Sequence, residues 1–439
     1  MVAAAFLRCC DQLEGTIRMT TLAMPQQAAP ADTERGEAGP SFWNAGHRPT
    51  LFAAFLYFDV AFMVWVMLGP LAPIISGDLR LDPAQKGLMV AIPTLAGAVL
   101  RIVNGLLVDR VGPKRVGAIN QIIVIAGLAA AWRFGISSYA GILAVGVLLG
   151  FAGASFAVAL PLASRWYPRE HQGKAMGIAG MGNSGTVLAS LFAPTLAKML
   201  GWNAVLGLAC IPLTIVLAIY LVLAKDSPDC PPPRKLASYA EPLRERDAWW
   251  LMLFYLVTFG GFSGLASSLS IYFVDNYGLT PVQAGYAGAA CVFFGSLVRP
   301  LGGGLADRVG GTRTLIGVYL VAGAALVAIG TGPATVTLAL GLFIVAMLAL
   351  GTGNGAVFQL VPQRFGKEIG VMTGLVGCAG GVGGFLLASS LGLARQWLGS
   401  EQAGFLIFAS LALIALAGVT AVKGRWRTGW GAAIEGVRI

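Results

Sequence analysis

Apolar and polar residues follow one another along this chain in long blocks. Apolar stretches cover residues 50–76, 87–108, 116–134, 139–165, 173–199 and 202–224, and then 249–274, 283–306, 314–331, 334–362, 369–395 and 403–422. A helix needs about 20 such residues to cross a hydrocarbon core of roughly 30 Å. The pattern therefore predicts an all-α polytopic membrane protein with twelve transmembrane helices. Residues 1–48 are polar and rich in Ala, Pro and Gly, and are expected to form a disordered tail. Residues 225–247, with Pro228, Pro231, Pro232 and Pro233, read as a linker between two six-helix bundles, 49–224 and 248–423, and 424–439 as a second tail.

Composition agrees with this reading. Hydrophobic residues make up 56% and charged residues 11%, with a mean hydropathy of +0.75, too little charge to clothe a water-soluble domain. The formal net charge of +10 is distributed by side rather than gathered into a nucleic-acid patch. Of 30 Lys and Arg, with those at the span ends assigned to the adjoining loop, 23 fall in the tails and alternate loops on one side, five in the opposite loops and two deep inside spans. That bias predicts both termini in the cytoplasm. Six scattered cysteines and two histidines, His47 and His171, offer no metal site, and no cofactor is expected.

The two sets of spans repeat each other. Leu81, Pro83, Gln85, Gly87, Gly97, Arg101, Gly105, Asp109, Arg110, Val111, Gly112 and Arg115 return 198 residues later as Leu279, Pro281, Gln283, Gly285, Gly295, Arg299, Gly303, Asp307, Arg308, Val309, Gly310 and Arg313. A fainter echo links Gly173, Gly177 and Gly180 to Gly370, Gly374 and Gly377. Two pseudo-symmetric bundles about an axis along the membrane normal are the expected product. The loop Gly105–Arg115, with Asp109, and its copy around Asp307 resemble the signature loop of the major facilitator superfamily. The resemblance implies that fold and a gating role for Asp109 and Asp307.

Arg101 and Arg299 each lie eight residues before the loop aspartate, about 12 Å into the membrane at 1.5 Å per residue. A cation at that depth costs about 2.5–3.5 kcal/mol on insertion scales. Asp59 is the one carboxylate within the predicted spans, so at least one arginine lacks a fixed partner. Structural pairing is the plainer alternative, but two cations against one carboxylate point to an anion site on the axis.

Glycine-rich runs surround these positions: Ala179-Gly180-Met181-Gly182-Asn183-Ser184-Gly185 in span five and Gly377-Cys378-Ala379-Gly380-Gly381-Val382-Gly383-Gly384 in span eleven. Close helix packing alone accounts for many such runs. Together with Phe156 in span four, Tyr255, Phe259 and Phe262 in span seven, and Gly353-Asn354-Gly355 and Phe358 in span ten, they resemble the nitrate/nitrite porter family. Met181 departs from it, an aromatic residue being common there. The resemblance implies that Arg101 and Arg299 clamp the anion, that Asn183 and Tyr255 donate hydrogen bonds, and that Phe156 and Phe259 sandwich it. A planar monoanion suits the planar guanidinium fork. Gly180, Gly185, Gly377 and Gly381 are expected to be surfaces on which helices slide.

The sequence thus points to a monomeric inner-membrane transporter that imports nitrate, with nitrite as a further candidate substrate, by alternating access. Asp59 is the candidate proton-coupling group, giving symport; a structural role for Asp59 leaves nitrate/nitrite exchange instead. The rival readings are an organic-anion antiporter, a non-transporting nitrate receptor and a membrane enzyme. The last is disfavoured because the spans carry no catalytic constellation of His, Cys and carboxylates.

Overall fold

The computed structural model describes residues 42–228, 240–365, 369–430 and 439. Among them there is no strand. Eleven helices are long and apolar enough to cross a membrane: α1 (Arg48–Asp78), α2 (Pro83–Val111), α3 (Pro113–Phe134), α4 (Tyr139–Ser164), α6 (Trp202–Leu223), α7 (Arg246–Tyr277), α8 (Pro281–Val309), α9 (Gly311–Gly330), α10 (Val336–Arg364), α11 (Ile369–Leu398) and α12 (Gln402–Thr428). The expected fifth span is present in pieces. Arg169–Gly180 and Gly185–Leu200 are α-helical, and a 3-10 turn, Met181–Ser184, joins them. Three glycines at and beside this turn, Gly180, Gly182 and Gly185, and the short polar pair Asn183 and Ser184 give too little side-chain packing to hold one regular helix; residues 169–200 are called α5.

The repeated residues recur because they do the same local work twice. Asp82 and Gln85 form a capping box at the start of α2, with Pro83 in the first turn, and Thr280, Gln283 and Pro281 do so at α8. Gly112 and Gly310 end these helices at φ of 96° and 109°, a conformation that glycine adopts without penalty, and α3 and α9 begin at the next residue. Gly87 and Gly285 bring the halves together. A Cβ on Gly87 would lie 2.8 Å from the Gly392 Cα of α11, and one on Gly285 would lie 2.5 Å from the Ser190 carbonyl oxygen of α5. At this same end Lys86 pairs with Asp275 of the other half at 3.1 Å.

The segments outside the spans need two corrections. Part of the predicted first tail is folded: Phe42 is buried and stacks on Tyr167 at 4.9 Å. The last helix runs through Thr428, because Arg425 and Trp426 both donate to Asp247, a residue assigned to the linker by sequence but buried in the structure. The rest of the predicted first tail (1–41), the centre of the linker (229–239) and most of the last tail (431–438) lie outside the described residues.

Candidate anion site

The two repeat arginines meet at the seam between the halves. Arg101 is 1% exposed and Arg299 8%. Their guanidinium carbons share two aromatic rings: Arg101 stands 5.4 Å from the centre of Phe156 and 5.0 Å from Phe259, and Arg299 stands 5.8 Å and 6.0 Å from the same two. Trp65 of α1 adds a third face for Arg101, at 5.2 Å. Such contacts stabilise a cation where water is scarce.

Their hydrogen bonds differ. Arg101 Nε donates to the Gly153 carbonyl at 3.0 Å, and Nη1 donates across the seam to the Gly377 carbonyl at 2.7 Å. The Gly153 acceptor is available because α4 tightens there: the Ala157 amide donates to Ala154 rather than to Gly153. Arg299 Nη2 donates to the Tyr255 hydroxyl at 3.1 Å, and the Tyr255 ring lies flat on Phe259, 5.1 Å away. Arg299 begins the second half of α8, just after a turn at Val298, where Pro300 removes an amide donor from the ladder.

Neither arginine has a carboxylate partner among the described residues. Arg101 Nη2 and Arg299 Nη1 are buried with no acceptor. A buried unpaired cation is expensive, and a small anion with several acceptor oxygens would satisfy both. Asn183, on the 3-10 turn of α5, is fully buried with both amide atoms unpartnered. So is Asn354 of α10, while Ser155 and Thr258 bury unpartnered hydroxyls.

The structure therefore brings Arg101, Arg299, Tyr255, Phe156 and Phe259 into one contact network. Asn183 makes no hydrogen bond to either arginine among the described residues. Trp65 went unselected by sequence reasoning, being one of several aromatics in span one; the signal lay in Gly97 and Gly153, which make room for its indole.

Asp59, the candidate coupling group, faces the α5 turn. It accepts a hydrogen bond from Ser184 Oγ at 2.7 Å and forms no ion pair among the described residues. The rotation of α1 aims it at the α5 turn, a direction fixed by packing. Gly185 and Gly381 are tight contacts, the first against the Asp59 backbone and the second with Ala98 Cβ 2.7 Å from where its own Cβ would be. Gly377 borders the site, in ordinary contact with Arg101 and Phe156. A Cβ on Gly180 meets nothing within 4 Å, so in this conformation it is no sliding surface. Asp109 pairs with Arg165 at 2.6 Å, whereas Asp307 is exposed and makes no ion pair or hydrogen bond among the described residues.

Comparison with known proteins bears on this geometry. Residues 53–388 match the model of the Major Facilitator Superfamily. The "Nitrite extrusion protein" of Bacillus subtilis (strain 168) is 32% identical over 353 residues, 80% of this chain and 88% of its own length. The "Probable nitrate transporter NarT" of Staphylococcus carnosus (strain TM300) is 32% identical, with coverages of 81% and 91%. The "Probable nitrate/nitrite antiporter NarK1" of Thermus thermophilus is 31% identical, with 83% and 89%. Among solved structures, a bacterial homologue of the human lysosomal transporter Spinster, inward-facing and occupied, superposes with a TM-score of 0.65 at 19% identity, covering 85% of this chain and 96% of that one.

Proposed function

The chain belongs to the Major Facilitator Superfamily, and from that premise we propose that it is a secondary transporter carrying nitrate and nitrite across a bacterial inner membrane. The observation that carries this reading is the pair of buried arginines, without carboxylates, facing the same two aromatic rings. The relatives' names point the same way. A flat anion between Phe156 and Phe259 accepts from Arg101 Nη2 and Arg299 Nη1, and binding it cancels part of the repulsion between the two cations. Because Arg101 already bonds the opposite half through Gly377, occupancy is felt at the seam.

The Lys/Arg bias supports placing both termini, and the Asp109 and Asp307 loops, in the cytoplasm. The end closed by Lys86–Asp275, Gly87 and Gly285 is then periplasmic, and the protein stands shut to the outside. A single chain supplies both halves of the site, so it works as a monomer. Import of an anion against an inside-negative potential costs about 2.3 kcal/mol per 100 mV, so uptake needs a driving gradient. The Asp59–Ser184 bond favours exchange: with Asp59 engaged elsewhere, the carried anion itself balances the arginines in both directions.

Counterflow of labelled nitrate in proteoliposomes tests the reading. Competition by nitrite but not by the larger dianion oxalate is expected; preferential competition by oxalate would return the organic-anion antiporter. Asp59→Asn separates the coupling modes. Exchange predicts undiminished counterflow and no accumulation driven by a pH gradient in either the wild type or the variant. Accumulation in the wild type that the variant loses would establish proton symport through Asp59.

A further inference from the structure

Beyond the anion site, the C-terminal half carries a groove of about 470 Å³ on its outer surface, between α8, α9 and α10. Leu305, Val321 and Val345 line its shaft and are each more than 40% exposed. The two lining threonines turn their hydroxyls inward, Thr314 to the Gly310 carbonyl at 2.9 Å and Thr352 to Leu348 at 2.8 Å, so they offer the shaft no free donor. At the mouth stands Arg313, exposed and without an ion-pair or hydrogen-bond partner among the described residues. From Arg313 to Val321 the α9 wall runs eight residues, about 12 Å at 1.5 Å per residue, inward from the membrane boundary.

The repeat sharpens what the groove is. Leu305, Val309, Arg313 and Val345 have the same residues 198 positions earlier, Leu107, Val111, Arg115 and Val147. Gly317 does not: its counterpart is Ile119, which is 54% exposed. A Cβ on Gly317 meets nothing within 4 Å, so this glycine leaves open the space that an isoleucine occupies in the other half.

We propose that the groove is a binding site for one anionic glycerophospholipid, its phosphate on Arg313 and one acyl chain along Gly317 toward Val321. An apolar shaft that opens at the headgroup level beside a free cation matches both parts of such a lipid, and one basic residue near the surface is worth about fivefold in its affinity for acidic lipid. The site depends neither on the substrate nor on the mode of transport.

The test is native mass spectrometry of delipidated protein titrated with phosphatidylglycerol or phosphatidylcholine, with nitrate counterflow as the check on folding. The wild type should hold one phosphatidylglycerol in preference to phosphatidylcholine. Arg313→Ala should cut that preference about fivefold, Gly317→Ile should abolish the adduct and Gly317→Val should weaken it, while Arg115→Ala leaves it unchanged. Counterflow should persist in all four. Equal retention of phosphatidylglycerol in Arg313→Ala and Gly317→Ile, or an equal loss in Arg115→Ala, would reduce the groove to ordinary lipid contact. A two-chain species that Gly317→Ile dissociates would make it an interface between copies. Either result overturns the proposal.

Discussion

Arg101 and Arg299 occupy equivalent places in the repeat, yet the protein holds them differently. Arg101 is tied to two backbone carbonyls, one in each half, and touches three aromatic rings. Arg299 has a single phenolic partner in its own half and stands at a break in its helix. Duplication supplied two equal charges, and packing has divided the labour: Arg101 joins the halves as well as facing the anion, whereas Arg299 keeps more freedom to follow it.

Lysine substitution is the strongest way to break this comparison. Arg101→Lys should lower nitrate counterflow by about 100-fold or more, since the fork and both charge-assisted carbonyl bonds are lost at about 1.5–3 kcal/mol each. Arg299→Lys should cost about 10- to 100-fold, mainly as weaker binding of nitrate by purified protein. Equal losses in rate and binding for the two variants would show that the division of labour is absent.

Next come the glycines. Gly381→Leu, forced against Ala98 and Thr94, should destabilise the packed seam by about 1–3 kcal/mol, visible as a lower melting temperature and slow exchange. Gly180→Ala, in open space, should leave both near wild type; a large effect there would mean that another conformation closes on it.

Smaller still is the latch between halves. Lys86 and Asp275 are 20% and 18% exposed, so the pair contributes at most about 1 kcal/mol. Lys86→Ala or Asp275→Ala should shift the balance toward the outward-open state by up to about fivefold, read as external labelling of a cysteine placed near Gly87. If the double variant shifts twice as far as either single one, the residues act separately.

The smallest effect concerns the first helix of each half. His47 caps α1 by accepting from the Thr50 amide, whereas α7 starts without a side-chain cap. Partial burial, and then the charge of Lys225, hold its imidazole below the ordinary 6.5. A depressed folded value favours the neutral ring, so the cap's contribution is complete above about pH 6.5 and fades as pH falls below it. Melting curves at pH 8 and pH 5.5 should show a small acid loss that His47→Ser removes.

The span pattern, the repeat and the arginine pair are legible in the sequence because each leaves a mark in residue type and spacing, whereas Tyr255, Phe156 and Phe259 are reached only through the family resemblance. The remainder is set by orientation. Backbone acceptors such as Gly153 and Gly377 have no side chain to announce them, and Trp65 differs from its aromatic neighbours only in the direction it faces. Asp59 lies within the first span, but α1 turns it to Ser184. The matched loops around Asp109 and Asp307 read alike, yet Arg165 at the end of α4 pairs with the first, while Arg364 at the end of α10 is held by Asp247 and Glu245.

The interrupted α5 bears on biosynthesis. Its first stretch contains Arg169, Glu170, His171, Gln172 and Lys174, and its second has 16 residues, short of a full crossing. A translocon that admits segments by their own apolarity would admit this one poorly. Its integration is expected to lean on the strongly apolar α6 that follows, and a chain truncated after Leu200 should leave α5 uninserted while one truncated after Leu223 should not. The turn that presents Asn183 and Ser184 to the protein interior makes their own helix a dependent passenger during synthesis.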